Sequence, residues 1–297
     1  MCLVSGISFE DSLHHSEDMK EGISSSDKIC PHCYDTDEEF GLGKLTKEES
    51  KNVFSEIKNS QTKQNELLIV FDIDDTLLTS EQLLGSERWV QWYKNNQTKH
   101  QLLPCRFDVA SMLYEIGTMV PTEPNLNDRF NAIQNNHVML LTARSNKQRS
   151  ATERELLRNK YFFSRNDRLP SQNDWSAIIH AENRKAEIVY RAGLMMVAGA
   201  DKGKSLTEFL RYNDLNYKKI IFVDDKWHNL KNVYKAIENS KTKLVSFYFG
   251  GKNIKKEMGQ DEVDKAIEAN NWIRDALKRF FMPRYSYLTS PQPECLY

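Results

Sequence analysis

Glycine and proline are scarce in this sequence, with 12 and 8 residues among 297. Proteins on average contain about 12% of the two together, so the low content argues against a loop-rich β-sandwich and against repeat linkers. Cysteine is also rare, because the five cysteines are too few and too widely spaced to form a disulfide framework. Their number and spacing favour a reducing compartment.

Long hydrophobic runs and an excess of one charge are lacking as well. No apolar segment approaches the roughly 18 residues that cross a membrane. The first nine residues have neither the basic start nor the apolar stretch of a signal peptide, so we expect a cytoplasmic location, or export by a route without such a peptide. Lys and Arg number 41 against 42 Asp and Glu, a net charge of −1, and this balance predicts no nucleic-acid partner.

Apolar blocks that alternate with helical stretches indicate the fold class. The alternation predicts an α/β protein with a three-layer, Rossmann-like parallel sheet of about five strands and helices on both faces. Residues 160–193 have weak periodicity and predict no clear element. The predicted strands are Leu67–Phe71, His137–Leu141, Leu194–Val197, Lys219–Val223 and Leu244–Phe249.

The sequence predicts four regions. Residues 1–44 are polar and lack periodicity, which is typical of a flexible leader. About 60 residues separate the first two strands, too many for an ordinary crossover, and helical spacing of apolar residues there predicts a small helical cap over 81–135. The catalytic core is expected over 45–80 and 136–281. Residues 282–297, which contain three prolines, are expected to form an extended tail.

The ends of four predicted strands carry residues with catalytic chemistry. Asp72 follows the first strand, and Thr142 follows the second. Lys202 comes shortly after the third, and the pair Asp224–Asp225 follows the fourth. Ligands of open α/β sheets bind at the carboxyl ends of the strands, so we expect these side chains to lie along one edge of the sheet.

Asp72 and Asp74 stand two positions apart directly after a buried strand, so both carboxyl groups can reach one point. One carboxylate can attack phosphorus and form an acyl phosphate. The other can donate a proton to the leaving oxygen and later activate water. The pair therefore suits the hydrolysis of a phosphate ester.

The segment Asp72-Ile73-Asp74-Asp75-Thr76, after an apolar strand, resembles the first motif of the haloacid dehalogenase-like superfamily, Asp-x-Asp-x-Thr. The resemblance implies that Asp72 is the nucleophile and that Asp74 is the general acid and base. It also implies that the Asp72 carboxylate and the Asp74 backbone carbonyl bind magnesium.

The segment Leu140-Leu141-Thr142-Ala143-Arg144 resembles the second motif of this superfamily. The resemblance implies that the Thr142 hydroxyl binds a phosphoryl oxygen, with Ala143 beside it in the substrate-binding turn. All four motifs occur in the superfamily's order, and the resemblance covers about residues 66–250.

The third and fourth motifs supply a lysine and two further carboxylates. Lys202 resembles the lysine that neutralises the charges of the nucleophile and the phosphate, and Lys204, two positions on, is the alternative. Asp224 resembles a metal ligand of the acidic fourth motif, with Asp225 beside it.

A cluster of this charge requires a cation, because several carboxylates around one point repel one another. Mg²⁺ is a hard cation that prefers oxygen ligands, and it suits one or two carboxylates together with a substrate phosphate. The sequence therefore predicts a magnesium site formed by Asp72, Asp74, Asp224 and Asp225.

Together these features predict a Mg²⁺-dependent phosphatase that hydrolyses a phosphomonoester through an aspartyl phosphate on Asp72. One alternative is a phosphotransferase of the same superfamily. Another is a weakly active protein that uses the same fold as a binding or effector module. The phosphorylated partner can be a small molecule, a lipid headgroup or a phosphoprotein side chain, and the sequence does not choose among them.

Two other groups of residues leave more than one interpretation open. Arg144, Lys147 and Arg149 fit either a site for a second phosphate or acidic substrate, or a solvated helix start. Cys30 and Cys33 form a Cys-x-x-Cys pair, which fits a reactive dithiol, half of a zinc site or an inert solvated pair.

Overall fold

The computed structural model describes residues 50–100, 102–163, 169, 174–181, 184–249 and 258–290. These residues all lie in the unit Lys44–Tyr297. The predicted leader over 1–44 and the Cys30–Cys33 pair lie outside the described residues.

A seven-stranded, mostly parallel sheet forms the centre of the described fold. The strands are β1 Leu67–Phe71, β2 Leu78–Ser80, β3 Met119–Pro121, β4 His137–Thr142, β5 Trp175–Ala181, β6 Arg184–Arg191, β7 Leu194–Met196, β8 Lys219–Asp224 and β9 Lys243–Tyr248. The strand order of the main sheet is β5-β6-β7-β4-β1-β8-β9, and β2 pairs with β3 in a separate antiparallel sheet. Strands β7, β4, β1, β8 and β9 are parallel, whereas β6 is antiparallel to both of its neighbours.

The α/β class is confirmed, and the predicted count of about five strands is too low. The two additional strands, β5 and β6, form an antiparallel hairpin at one edge of the sheet. In β6, Ala186, Ile188 and Tyr190 are buried while Lys185 and Glu187 are exposed. An edge hairpin of this kind has one face on the core and one in water, so it lacks the continuous apolar run of the central strands.

Helices cover both faces of the main sheet. The α-helices of the described residues are α1 Ser50–Lys58, α2 Glu87–Asn96, α3 Arg106–Ile116, α4 Leu126–Ala132, α5 Arg149–Arg158, α6 Lys202–Tyr212, α7 Trp227–Ile237, α8 Gln260–Phe280 and α9 Met282–Thr289. Leu67, Ile69 and Phe71 of β1 share one hydrophobic cluster with residues of α1, α4 and α5. Leu68 and Val70 share another with residues of α6 and α7. The central strand is therefore buried on both sides, as its continuous apolar sequence predicts.

Helices α2 and α3, which lie in the interval predicted as a cap, share a third hydrophobic cluster with α8 and α9. Trp89 and Tyr93 of α2 belong to this cluster together with Leu113 of α3 and Leu277 of α8. The Tyr93 hydroxyl donates a hydrogen bond to the Leu103 carbonyl at 3.0 Å. The C-terminal helices therefore help to hold the segment that carries α2 and α3.

The C-terminal residues differ from the expected extended tail. Met282–Thr289 form the helix α9, and Leu288 is buried. Pro283 lies in the first turn of this helix, where its fixed φ is compatible with helical geometry and its missing N–H has no partner to lose. Residues 291–297 lie outside the described residues.

The structure bears on two further expectations, one about membrane spans and one about disulfides. No helix in the described ranges combines the length and the hydropathy of a membrane span. Cys105, which the cysteine spacing does not assign to a disulfide, is disulfide-bonded. Spacing along the chain does not show which sulfur atoms the fold brings together.

Candidate functional site

Three neighbouring strands bring Asp72, Thr142 and Asp224 to one edge of the sheet. Strand β1 lies between β4 and β8, and its last residue, Phe71, pairs with Val223 of β8. The Asp72 N–H extends this pairing by donating to the Val223 carbonyl at 2.9 Å. The carboxyl ends of these parallel strands therefore meet where a ligand of an open α/β sheet binds.

A tight turn follows Asp72. The amides of Thr76 and Leu77 donate to the Ile73 carbonyl at 3.3 and 3.0 Å. Asp75 adopts the left-handed conformation with φ 57°, which aspartate tolerates better than most residues. The Thr76 hydroxyl donates to Asp72 Oδ2 at 3.3 Å, so the turn also orients the first carboxylate of the motif.

Asp72, Asp224 and Asp225 form a carboxylate cluster in which one oxygen from each lies within 4.8 Å of the others. Asp72 is 4% exposed and Asp224 is fully buried. Asp225 Oδ1 is buried and has no hydrogen-bond partner among the described residues. Buried carboxylates need compensating charge, and an oxygen-only set with an unpartnered oxygen fits Mg²⁺.

Burial and the negative charges of neighbouring carboxylates raise the pKa values of Asp72 and Asp225. Burial raises the pKa of Asp72 to about 7, with the charge of Lys202 opposing the shift and that of Asp224 adding to it. Burial, together with the negative charge of Asp72, raises the pKa of Asp225 to about 9. Burial therefore disfavours the ionised forms of Asp72 and Asp225, and a bound cation would favour them.

Lys202 joins two of the carboxylates. Its Nζ lies 2.5 Å from Asp72 Oδ1 and 2.7 Å from Asp224 Oδ2, and the side chain is 2% exposed. Burial would lower the pKa of Lys202, but the two carboxylates outweigh it and raise that pKa. The alternative, Lys204, uses its backbone N–H to bond the Asp201 side chain at the start of α6. Lys202 is therefore the lysine of the cluster.

A close approach of two helices positions Lys202 at the start of α6. A Cβ atom on the next residue, Gly203, would lie 2.1 Å from the Asn232 carbonyl oxygen of α7. Only glycine permits this approach without a shift of the backbone. The glycine therefore fixes where α6 begins relative to α7, and this also fixes the backbone position of Lys202.

Asp224 is held through its second oxygen. Its Oδ1 accepts hydrogen bonds from the Lys226 N–H at 2.9 Å and from Asn229 Nδ2 at 2.8 Å. These donors leave the carboxylate little freedom to rotate. Asn229 is not among the residues predicted from the sequence, although its position in the first turn of the helix after the fourth motif is a usable signal.

Arg144 holds the carboxylate of Asp74. Its Nε and Nη2 donate to the two oxygens of Asp74 at 3.0 and 2.7 Å. Burial alone would raise the pKa of Asp74, but the charge and hydrogen bonds of Arg144 outweigh it and lower that pKa. Arg144 itself is buried, which contradicts both the solvated helix start and a free site for a second phosphate at this residue.

The other two basic residues after β4 differ in exposure, and only Lys147 fits the interpretation of a solvated helix start. Lys147 is exposed. Arg149 pairs with Glu153 one turn along α5 at 3.0 Å and donates to Asn146 Oδ1 at 2.8 Å. Arg149 Nη2 also donates to the Leu194 carbonyl of β7 at 3.2 Å, and the Arg149 side chain is only 11% exposed, so the solvated interpretation is wrong at this residue.

Thr142 and Ala143 lie in the turn after β4. The Thr142 hydroxyl accepts from the Arg144 N–H at 3.2 Å and donates to Asp74 Oδ2 at 3.4 Å. Ala143 is exposed, and its carbonyl accepts from the Gly199 N–H at 2.8 Å, which links this turn to the loop after β7. The structure places Thr142 beside the candidate acid and base, and its contact with a phosphoryl group stays a prediction.

Residues outside the four motifs also reach the site. Lys226, next to the acidic pair, forms an ion pair with Glu87 at the start of α2, with 2.6 Å between Nζ and Oε1. Tyr114 of α3 lies beneath Arg144, whose Cζ is 4.2 Å from the ring centroid. None of these residues was predicted from the sequence, because contacts between distant positions, such as the 139 that separate Lys226 from Glu87, leave no local pattern.

Comparison with known proteins gives one family match. A family model described as "Protein of unknown function (DUF2608)" matches residues 48–278. The match includes every candidate site residue. No curated protein and no solved structure matches the chain.

Proposed function

The chain belongs to the DUF2608 family, and we propose that it is a Mg²⁺-dependent phosphatase related in fold and mechanism to the haloacid dehalogenase-like superfamily. The observation that supports the proposal most is the cluster of Asp72, Asp224 and Asp225 with Lys202 at the carboxyl edge of parallel strands. The parallel strands β7-β4-β1-β8-β9, with helices on both faces, are consistent with the three-layer, Rossmann-like arrangement of that superfamily.

The proposed metal ligands are the carboxylates of Asp72, Asp224 and Asp225, with the backbone carbonyl of Asp74 added by the resemblance. Bound Mg²⁺ would offset the charge of these carboxylates and polarise the phosphoryl oxygens of the substrate. The unpartnered Oδ1 of Asp225 supports this assignment, because a buried oxygen without a donor calls for a ligand.

In the first proposed step, a carboxylate oxygen of Asp72 attacks phosphorus while the bond from phosphorus to the ester oxygen breaks. The products are an aspartyl phosphate and an alcohol, whose oxygen takes a proton from Asp74. Lys202 offsets the charge that the nucleophile and the phosphoryl oxygens bring together. Thr142 donates its hydroxyl hydrogen to a phosphoryl oxygen.

In the second proposed step, water attacks phosphorus, Asp74 takes the proton of that water, and the bond from Asp72 to phosphorus breaks. Asp72 returns to its carboxylate form, and inorganic phosphate leaves. The ion pair with Arg144 keeps Asp74 ionised, which suits this step. The first step needs Asp74 protonated, so the mechanism requires the ion pair to loosen when substrate binds.

The test is phosphate release from para-nitrophenyl phosphate in Mg²⁺ and in EDTA. We expect turnover only with Mg²⁺, none in Asp72→Asn, and wild-type turnover in the control Asp174→Asn, whose side chain is 64% exposed. Beryllium trifluoride, a mimic of the aspartyl phosphate, is expected to inhibit the enzyme. Transfer of phosphate to an added alcohol in preference to water would identify a phosphotransferase. No metal-dependent turnover across a broad panel of phosphate esters would overturn the proposal and favour a binding module.

A further inference from the structure

Tyr114 of α3 contacts the candidate site from outside the four motifs. Its ring centroid lies 4.2 Å from Cζ of Arg144, the residue whose guanidinium bonds both carboxylate oxygens of Asp74. Burial and the charge of Asp74 raise the pKa of Tyr114, so the phenol stays neutral beside the arginine. A neutral aromatic ring attracts a buried guanidinium through the cation–π interaction.

Hydrogen bonds engage every nitrogen of the Arg144 guanidinium. Nε and Nη2 donate to Asp74, and Nη1 donates to the Thr152 hydroxyl at 2.9 Å. Nη2 also lies 3.1 Å from Met119 Sδ. These bonds lie along the edges of the planar guanidinium, where its N–H groups point. Tyr114 adds a packing contact at the guanidinium carbon, which restrains the group independently of these bonds.

Contacts with α5 fix the backbone of α3 at Tyr114. Arg154 of α5 donates from Nη2 to the Tyr114 carbonyl at 2.8 Å and from Nη1 to Glu115 Oε2 at 3.2 Å. The Ser150 hydroxyl donates to the other oxygen of Glu115 at 2.9 Å. The backbone that carries the Tyr114 ring is therefore attached to the helix that follows the second motif.

We propose that Tyr114 is a positioning residue of the proposed reaction. Its ring holds the Arg144 guanidinium in the place from which the arginine directs the Asp74 carboxylate. This inference rests on the proposed phosphatase function, and it gives the segment between the first two motifs a role in the chemistry. Tyr114 itself acts only through Arg144.

The two proposed steps explain why this restraint matters. Asp74 gives a proton to the leaving oxygen in the first step and takes one from water in the second, and both transfers depend on its direction. The ion pair with Arg144 loosens for the first step and re-forms for the second. A ring that stays against the guanidinium keeps the arginine close enough to recapture Asp74.

The leaving-group dependence of kcat/KM tests the proposal. Para-nitrophenolate departs with little help from an acid, whereas the departure of phenolate depends on the proton from Asp74. We expect Tyr114→Leu to reduce kcat/KM for phenyl phosphate about tenfold more than for para-nitrophenyl phosphate, as the loss of one buried cation–π contact predicts. Tyr114→Phe retains the ring and should keep the wild-type ratio of the two values. A wild-type ratio in Tyr114→Leu, or equal changes in both variants, would overturn the proposal.

A double-mutant cycle with Arg144→Gln shows whether Tyr114 acts through Arg144. A glutamine cannot form the arginine fork, so the ring has no fork to hold. In this background, Tyr114→Leu is expected to leave the ratio of the two kcat/KM values unchanged. The same tenfold change in both backgrounds would show that the ring acts independently of Arg144, and the proposal would be wrong.

Two control variants separate the ring contact from general effects on the fold. Val109→Ala truncates a buried residue of the same helix, and Tyr287→Leu makes the same substitution at a tyrosine that is 52% exposed. Both are expected to keep the wild-type ratio. A change in Val109→Ala as large as that in Tyr114→Leu would indicate a general loosening of α3 and would overturn the specific role of the ring.

Nuclear magnetic resonance separates this inference from the phosphatase proposal, because it needs no turnover. The Nε–H signal of Arg144, identified by its loss in Arg144→Gln, should exchange slowly with water in the wild type and in Tyr114→Phe and about tenfold faster in Tyr114→Leu. That pattern without turnover would overturn the phosphatase proposal alone and leave the restraint of Arg144 in place. Turnover with equal exchange rates and equal ratios would overturn only the role of Tyr114. Neither turnover nor a change in exchange would overturn both.

Discussion

Arg144 donates two parallel hydrogen bonds to the Asp74 carboxylate, from Nε to Oδ2 at 3.0 Å and from Nη2 to Oδ1 at 2.7 Å. The two residues lie in the turns after neighbouring strands, so the pair ties one turn to the other. Arg144 is held in turn by the Thr152 hydroxyl at 2.9 Å and by the ring of Tyr114. Because an arginine fork fixes the direction of a carboxylate as well as its charge, Asp74 turns only when Arg144 also moves.

Arg144→Lys tests whether this fixed direction matters for catalysis. A lysine keeps the positive charge but cannot form the two-bond fork. We expect kcat toward para-nitrophenyl phosphate to fall about 10- to 100-fold, since general acid and base catalysis contributes about 100-fold or more and depends on orientation. The control is Arg149→Lys, whose partner Glu153 lies on the same helix. Equal kcat values for Arg144→Lys and the wild type would contradict the orienting role.

The carboxylate cluster predicts that Mg²⁺ stabilises the folded protein. A ligand that binds only the folded state at 100 times its Kd adds about 2.7 kcal/mol to the free energy of unfolding. Asp225→Asn should reduce the rise in Tm on adding Mg²⁺. In EDTA, the same variant should have a Tm equal to or above that of the wild type, because a neutral amide replaces a buried carboxyl group whose Oδ1 has no hydrogen-bond partner among the described residues and whose ionised form burial disfavours.

The measurement is thermal unfolding in EDTA and over a Mg²⁺ titration, followed by near-ultraviolet circular dichroism. Asp174→Asn changes an exposed aspartate in the same way and should respond to Mg²⁺ like the wild type. A rise in Tm of the same size in Asp225→Asn and the wild type would show that Asp225 is not a ligand.

The central strands of the fold are predictable from sequence, and the edge of the sheet is not. A strand buried on both faces has a continuous apolar sequence, as in Leu67–Phe71, and this pattern is strong. The edge hairpin has one solvated face, so in β6 the buried residues Ala186, Ile188 and Tyr190 alternate with residues that are exposed or half-buried. The helix α9 is also hard to predict, because Pro283 indicates a helix start only when its position in the first turn is known.

The candidate site is predictable to the extent that topology alone collects its residues. Asp72 follows a buried parallel strand and Asp224 ends another. The carboxyl ends of such strands meet at one edge of the sheet, whatever the conformation of the loops. Contacts between distant loops do not follow from any local pattern. Arg144 and Asp74 are 70 positions apart, and nothing in the spacing shows that the arginine turns inward to meet the carboxylate.

The contact between α6 and α7 predicts that Gly203→Ala affects both stability and catalysis. The new Cβ would lie 2.1 Å from the Asn232 carbonyl oxygen, so the two helices must move apart. We expect a loss of about 1–3 kcal/mol in the free energy of unfolding, typical of overpacking, and a lower kcat because Lys202 is the preceding residue. Urea unfolding and steady-state kinetics give the two quantities.

The control for this substitution is Gly259→Ala at the start of α8, where a Cβ meets no atom within 4 Å. Its cost should be smaller, about 1 kcal/mol or less for the change at a helix N-cap, and kcat should be unchanged. Equal stability losses in Gly203→Ala and Gly259→Ala would contradict the close approach of the two helices.

Glu155 predicts how stability depends on pH. This residue of α5 is 3% exposed, accepts the Met119 N–H of β3 at 2.8 Å, and accepts from Arg154 and Arg158 at 3.1 and 2.9 Å. Burial alone would raise the pKa of Glu155, but its hydrogen bonds to Arg158 and Met119 outweigh burial and lower the pKa below the ordinary value of 4.5. The carboxylate form is therefore favoured by folding.

Glu155→Gln is expected to destabilise the protein at neutral pH and to weaken its sensitivity to acid. Because the folded pKa is the lower one, the unfolded chain takes up the proton first as the pH falls, so the contribution of Glu155 is present above about pH 4.5 and lost below it. The stability gap between wild type and variant should therefore narrow from neutral pH toward pH 3 in urea unfolding. Glu153→Gln, on the same helix, is the control and should leave the wild-type pH dependence in place. A gap that stays constant over this range would show that folding does not favour the ionised form of Glu155.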